Sequence, residues 1–214
     1  MVVVVVNNYL KPKYLKRAEA VVEVVREITG DRVELITYQE IRRIFHLRGV
    51  NSVILSGSSA GIEQNVGKFK REIDFVKETN VPVLGICFGH QLIGHAFGSK
   101  MGSHINYIKG FKKIEILKVD DIFKGWSRGD HIVVHESHIE YVNRLPPNFD
   151  LLAKSGDCEI EAMKHKFRPI YSVQFHPERF KNLEIDREFR DGLTVMRNFF
   201  KYAVEQRLFK ERSS

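Results

Sequence analysis

The sequence predicts an α/β fold: a mostly parallel sheet flanked by helices, with antiparallel strands added in the C-terminal half. Three observations carry that prediction. Short apolar runs alternate with longer amphipathic ones as far as Gly98, after which strand-like segments follow with few helices between. Of 214 residues, 43% are hydrophobic and 29% charged, the balance of a globular chain. Alternating strands and helices imply βαβ units, whose parallel strands are covered on both faces. The length fits one domain over 1–214, large enough to bury a core without staples.

In order, Val2–Val6 reads as a strand and Pro12–Thr29 as a helix ending at Gly30. Pro12 suits the first turn, where its missing N–H is not needed, and Leu15, Ala18, Val21, Val22 and Val25 recur at helical spacing. Val33–Thr37 is a second strand, Gln39–Leu47 a short helix closed by Gly49, and Val50–Leu55 a third strand. The small-residue turn Ser56–Gly61 follows, then a helix over Lys68–Thr79, a strand over Val81–Ile86 and a helix over Phe88–Phe97. Strands are predicted over Lys112–Val119, His131–Glu136, Leu151–Ser155, Glu159–Lys164 and Ile170–Phe175. A helix over Leu193–Gln206, with Val195, Phe199, Tyr202 and Ala203 inward, leads into a basic tail expected to be a frayed, solvated end.

Composition removes several function classes. Two cysteines make no disulfide framework and suit a reducing, cytoplasmic setting. The run Val2–Val6 is too short for a signal core or a membrane span. The formal charge of +7 can attract nucleic acid, but zinc-finger spacing, RNA-binding aromatic patterns and a long basic arm are absent. Neither nucleic acid nor membrane is expected as a partner. Lys109, Lys112 and Lys113 are instead candidates for a face that docks an acidic protein. His131, His135 and His138 invite a metal reading, but on a strand the first two share a face and the third points away, so no metal is expected. His90 is expected on a helix surface, Trp126 in the core and Cys158 as a structural thiol.

The most informative stretch runs from Val81 to Gln91 and contains Gly85-x-Cys87-x-Gly89, a strand-to-helix turn with a nucleophile at its apex. Residues without Cβ at Gly85 and Gly89 let strand and helix approach closely, and the apex backbone is expected to be strained. A helix N-terminus favours a thiolate over a thiol, and the N–H of Phe88 is placed to face an oxyanion formed when Cys87 attacks a carbonyl. A buried, inert cysteine is the bland alternative. What separates the two readings is a base.

Ile170–Glu178 supplies one. Strand alternation puts Ser172, Gln174 and His176 on one face, and Pro177 ends the ladder just past His176. Glu178 can then fold back on the imidazole, set its tautomer and stabilise its cation. A second five-residue pattern, Gly57-Ser58-Ser59-Ala60-Gly61, fits a serine elbow at Ser59. The polar residues 62–67 after it, which include Gly67, are a poor start for a core-packed helix, so Ser59 is the weaker candidate.

The segments Gly85–Gln91 and Ser172–Glu178 closely resemble the two signatures of class I, triad-type glutamine amidotransferases, a similarity that spans about Val50 to Glu178. Within that family, Glu136–Glu140, Arg144–Pro147 and Glu159–His165 resemble the separate amidotransferase subunits of archaeal-type GMP synthases. The resemblance implies a flavodoxin-like sheet, Cys87 as nucleophile, His176 as general base and acid, and Glu178 as orienter. It also implies that Gln91 holds substrate glutamine, that the backbone of Ser137, His138 and Ile139 grips its α-carboxylate end, and that Gly57–Ser58 gives a second oxyanion donor. Three departures stand out. Ser56-Gly57-Ser58-Ser59 replaces the usual Ser-Gly-Gly-Pro, Glu140 replaces an aspartate, and Asn7-Asn8-Tyr9 lacks a glycine-rich opening. If the second turn position needs φ > 0, Ser58 is strained there.

The expected activity is hydrolysis of L-glutamine to glutamate and ammonia through a thioester, with ammonia passed to a partner. The chain has no Walker A sequence and no Ser-Gly-Gly-x-Asp-Ser pyrophosphatase loop. No cofactor is therefore expected on it, and ATP and magnesium are assigned to a synthetase partner of the ATP-pyrophosphatase type. The alternatives are a stand-alone γ-glutamyl hydrolase and a non-catalytic regulatory module with the same fold.

Overall fold

The computed structural model describes residues 1–182, 184 and 186–204. Five strands run parallel: β1 (Val2–Asn7), β2 (Arg32–Thr37), β3 (Val50–Leu55), β4 (Val83–Ile86) and β9 (Ile170–Val173). Then come β8 (Ala162–His165), β7 (Phe149–Lys154), β5 (Met101–Ile116) and β6 (His131–Val142), each antiparallel to the strand before it, giving the order β2-β1-β3-β4-β9-β8-β7-β5-β6. A small hairpin, β10 (Lys181–Asn182) with β11 (Arg187–Glu188), stands apart.

The valine run is the clearest case of sequence dictating position. Val3 and Val5 pack into one apolar cluster, while Val2, Val4 and Val6 pack into the cluster on the other face. Successive side chains point to opposite faces, so an uninterrupted apolar strand is stable only where both faces are covered. Each fully buried valine contributes roughly 1.5–3 kcal/mol of transfer free energy. Helix α1 (Leu15–Thr29) covers one face with Ala18, Val21, Val22, Val24 and Val25 and stops at Gly30, whose φ of 66° takes the left-handed cap. Pro12–Tyr14 form a separate 3-10 turn, which leaves Leu15 at the helix start and exposed rather than inward. Gln39–Leu47 likewise proves to be 3-10, over Tyr38–His46, opened by a reciprocal cap between Thr37 and Glu40.

Helix α2 (Ile62–Glu78) begins well before the predicted Lys68. The polar stretch is accommodated by a kink at Asn65 (φ −127°, ψ 18°), whose Nδ2 donates to Gly61 O at 2.9 Å, while Ile62 is buried. Helix α3 (Phe88–Ala96) follows β4 directly. The predicted strands at 112 and 131 are parts of a longer ribbon, β5 and β6, with a bulge between Ser103 and Ile108. Of Glu159–Lys164 only Ala162 onward is strand. Helix α4 (Asp191–Asn198) passes into a π-helical turn, Phe199–Val204. The rest of the predicted helix to Gln206, the side chain of Ala203 and the basic tail lie outside the described residues.

The sheet curls, and this positions the site. Strand β6 is the far edge in hydrogen-bonded order, yet the N–H of His176, just past β9, donates to His135 O at 2.8 Å. Helix α3 fills the curl. Gln91 Nε2 donates to Glu140 O at 2.7 Å, and a Cβ on Gly94 would lie 2.7 Å from Val142 Cγ2.

Candidate active site

Cys87 stands between β4 and α3 with φ 52° and ψ −100°, a region that side chains other than glycine rarely occupy. Its N–H donates to Val173 O at 2.9 Å, which ties the apex to β9. A Cβ on Gly85 would come within 2.6 Å of Gly89 O, and one on Gly89 within 2.4 Å of Leu55 O. Both predicted close approaches are therefore present. The sulfur lies 3.9 Å from Ser137 O and 3.8 Å from Gln174 Nε2.

His176 follows β9 by a few residues, and its Nδ1 lies 2.8 Å from Glu178 Oε1. A carboxylate only accepts, so Nδ1 carries the hydrogen and Nε2 keeps its lone pair. Arg179 Nε stands 3.6 Å from the same Glu178 oxygen. The turn is backed by α4: a Cβ on Gly192 would lie 2.8 Å from Pro177 Cα.

The Ser56–Gly61 turn brings β3 alongside. A Cβ on Gly57 would lie 2.9 Å from His176 Cε1, 3.1 Å from the Tyr9 hydroxyl and 3.7 Å from Cys87 Cβ. Sulfur-bearing and imidazole side chains thus flank one narrow gap that only glycine leaves open. Cys87 and His176 line a cavity of about 240 Å³, together with Ser58 and Gln91. Ser137, His138 and Ile139 of β6 border it from across the curl. Of the residues singled out from sequence, Glu178 lies behind the histidine, and the Phe88 N–H bonds toward the thiol.

Several expectations are corrected. Ser58 is not among the residues with positive φ, so it bears no left-handed strain, and its Oγ instead donates to Asn8 O at 2.8 Å. His90 is fully buried, with Nδ1 2.9 Å from Ser172 Oγ, because α3 is packed between α2 and the curled sheet. Trp126 is only partly buried against the core. Lys112 pairs with Asp157 at 3.3 Å and points away from Lys109 and Lys113. Ser59 lines the cavity too, but among the described residues no histidine or carboxylate bonds to its hydroxyl.

Burial favours the thiol form of Cys87 over the thiolate that a helix N-terminus favours. Burial, with Glu136 adding to it, pushes Cys87 up to about 12, against the lowering effects of Arg179 and the Phe88 N–H. Burial outweighs the helix N-terminus because the dipole is worth about 1 kcal/mol and desolvation of a charge several. Burial also holds His176 below the ordinary histidine value, although Glu178 pulls it up. Burial raises Glu178 as well, but His176 and Arg179 more than offset it, so the carboxylate is ionised. Below β6, Glu136 is pushed up to about 8 by burial and sits 3.1 Å from His138 Nε2, with His138 lowered by burial. Burial thus disfavours the charged form of each. His131 is exposed and His135 half-buried on the opposite face from His138. Among the described residues no group of three or more His, Cys, Asp or Glu is placed to hold a metal ion.

Sequence reasoning did not single out Tyr9, Arg17, Tyr107 or Arg179, all of which line the cavity. Only Arg179 carried a local signal, standing directly after His-Pro-Glu. The others arrive from β1, α1 and β5, and no spacing in the chain points to them.

A strained cysteine elbow at the carboxyl edge of a parallel sheet, beside a histidine oriented by a glutamate, is the arrangement of a triad-type cysteine hydrolase. Residues 12–195 match the family model "Glutamine amidotransferase class-I". The chain belongs to the class-I glutamine amidotransferase family. It is 43% identical over 155 residues to the glutamine-hydrolyzing GMP synthase subunit of Pyrococcus abyssi, covering 72% of this chain and 77% of the relative. To the corresponding GMP synthase subunit of Methanococcoides burtonii it is 36% identical over 178 residues, 82% of this chain and 86% of the relative. Among solved structures, a Thermoplasma acidophilum protein described as a GMP synthase subunit superposes with a TM-score of 0.80 at 27% identity, over 99% of this chain and 98% of that one. No helix among the described residues is long and apolar enough to cross a membrane.

Proposed function

We propose that this chain is the glutaminase subunit of a GMP synthase, hydrolysing L-glutamine and passing ammonia to a synthetase that aminates xanthosine monophosphate. The observation that carries the reading is the Cys87–His176–Glu178 arrangement around one cavity in a chain of this family. The named relatives are glutamine-hydrolysing subunits, which favours this reading over a stand-alone γ-glutamyl hydrolase or a regulatory module.

In the proposed cycle the Cys87 thiol gives its proton to His176 Nε2 as the sulfur bonds to the side-chain carbonyl carbon of glutamine. The oxyanion rests on the N–H groups of Phe88 and the Gly57–Ser58 turn. His176 returns the proton to the departing nitrogen, the C–N bond breaks, and ammonia leaves a glutamyl thioester. Water deprotonated by His176 then attacks the thioester carbon, and the reprotonated sulfur departs as glutamate forms. Gln91 and the Ser137–Ile139 backbone hold the substrate. The chain needs no cofactor of its own, and ATP and magnesium are bound by an ATP-pyrophosphatase-type partner. The two cysteines, both free and buried, suit a cytoplasmic setting.

The test is incubation with glutamine, with and without the synthetase, ATP and xanthosine monophosphate. Glutamate and GMP together support the reading. Full glutaminase activity without a synthetase, unchanged on adding one, favours the γ-glutamyl hydrolase alternative. Cys87→Ala must abolish glutamate release, whereas Ser59→Ala must not.

A further inference from the structure

Helix α2 carries a carboxyl that the mechanism above does not use. Glu72 is fully buried on the core side of the helix, beneath the turn that flanks Cys87. Burying such a group costs several kcal/mol unless it is hydrogen-bonded or neutralised. Among the described residues its hydrogen-bond partner is Asn8, whose Nδ2 donates to Glu72 Oε1 at 3.1 Å.

Asn8, also fully buried just past β1, is the clamp of the turn. Its backbone N–H donates to Ser56 Oγ at 3.1 Å and its Nδ2 donates to Ser56 O at 3.1 Å. Its carbonyl accepts from Ser58 Oγ at 2.8 Å. One asparagine therefore holds both ends of Ser56–Ser58. An amide nitrogen has two hydrogens, and here one serves the turn and the other serves Glu72. Ser56 O and Glu72 Oε1 together fix which way the amide faces; flipped, it would set Oδ1 against both, acceptor against acceptor.

Among the described residues neither Asn8 Oδ1 nor Glu72 Oε2, both buried, has a hydrogen-bond partner. Burial pushes Glu72 up to about 8, which favours the protonated carboxyl over a bare buried charge. The turn borders the site at Gly57, next to His176 and Cys87, so a small displacement of it moves its own N–H groups relative to the oxyanion.

We propose that Glu72, acting through Asn8, is a positioning residue that holds the Ser56–Ser58 turn where its N–H groups meet the oxyanion. The inference rests on the glutaminase reading. It assigns Glu72 a role in transition-state geometry and none in substrate binding or in the reactivity of the sulfur.

The experiment uses the full chain, joined to its synthetase if turnover requires it, and measures kcat and KM for glutamine beside the rate of Cys87 alkylation by iodoacetamide. Alkylation needs the sulfur but no oxyanion donor. Glu72→Leu should lower kcat by roughly 10–100-fold, short of the loss from deleting an oxyanion donor outright, with KM and alkylation rate within about twofold. Glu72→Gln, which offers Asn8 both an acceptor and a donor, should stay within about threefold of the parent in kcat. An unchanged kcat in Glu72→Leu, an equal loss in Glu72→Gln, or alkylation that falls along with kcat overturns the proposal. If Glu72→Leu does not fold, Ser58→Ala cuts the same chain of bonds from the cavity side. It must then lower kcat without slowing alkylation, and failure to do so overturns the proposal equally. Glutamine hydrolysis surviving in Cys87→Ala would instead sink the glutaminase reading, so the two failures are told apart.

Discussion

His176 Nδ1 lies 2.8 Å from Glu178 Oε1 across a single proline, so the imidazole and the carboxylate that faces it come from one turn of chain. The ionised carboxylate keeps the hydrogen on Nδ1, and in the proposed cycle it stabilises the imidazolium formed when Cys87 gives up its proton. Glu178→Gln retains the shape and loses the charge. Glutamine turnover should fall by about 10²–10⁴-fold, with the thermal midpoint little changed. A variant that turns over normally would remove Glu178 from the mechanism.

Two glycines near the cysteine should fail in different ways. A Cβ on Gly89 meets the Leu55 carbonyl at 2.4 Å, backbone against backbone, and only movement of β3 or α3 relieves it. Gly89→Ala should cost about 1–3 kcal/mol or more in denaturant unfolding. A Cβ on Gly57 meets the ends of the His176 and Tyr9 side chains, which can swing aside. Gly57→Ala should fold with nearly the parental midpoint and lose most glutamine turnover, because the ring that moves is the proposed base.

The thiol form of Cys87 has a kinetic signature. With the group pushed up to about 12, alkylation of the resting protein by iodoacetamide should still be accelerating with pH at pH 9. Arg179 lowers Cys87, so Arg179→Leu should slow alkylation at every pH in that range. A rate already level at pH 7 would mean that the resting sulfur is a thiolate.

Glu72 makes stability depend on pH, with a definite sign. Below its ordinary value of 4.5 both folded and unfolded chains carry the proton. As pH rises from there to about 8, the unfolded chain ionises while burial keeps the folded one protonated. The stabilisation is therefore fully present below 4.5 and is lost by about 8, an effect on the order of a few kcal/mol. Glu136, raised in the same sense, adds to the trend. Urea unfolding between pH 5 and 8 should show a steeper decline in the parent than in Glu72→Gln, and equal slopes would refute the assignment.

What the sequence determined by itself was local: the glycine spacing around Cys87, the proline that lets Glu178 reach His176, and the valine run that only a doubly covered strand tolerates. Such features depend on backbone geometry over a few residues, and neighbours in sequence set that geometry. Tertiary structure alone decided that β6 would curl back to bring Ser137–Ile139 to the sulfur and that His90 would be enclosed. It also joined Glu72 to a turn near Ser56 through Asn8, and made Cys87 rest as a thiol. These depend on which distant segments exclude water from a group. Desolvation is a property of the assembled neighbourhood, and no spacing along the chain encodes it.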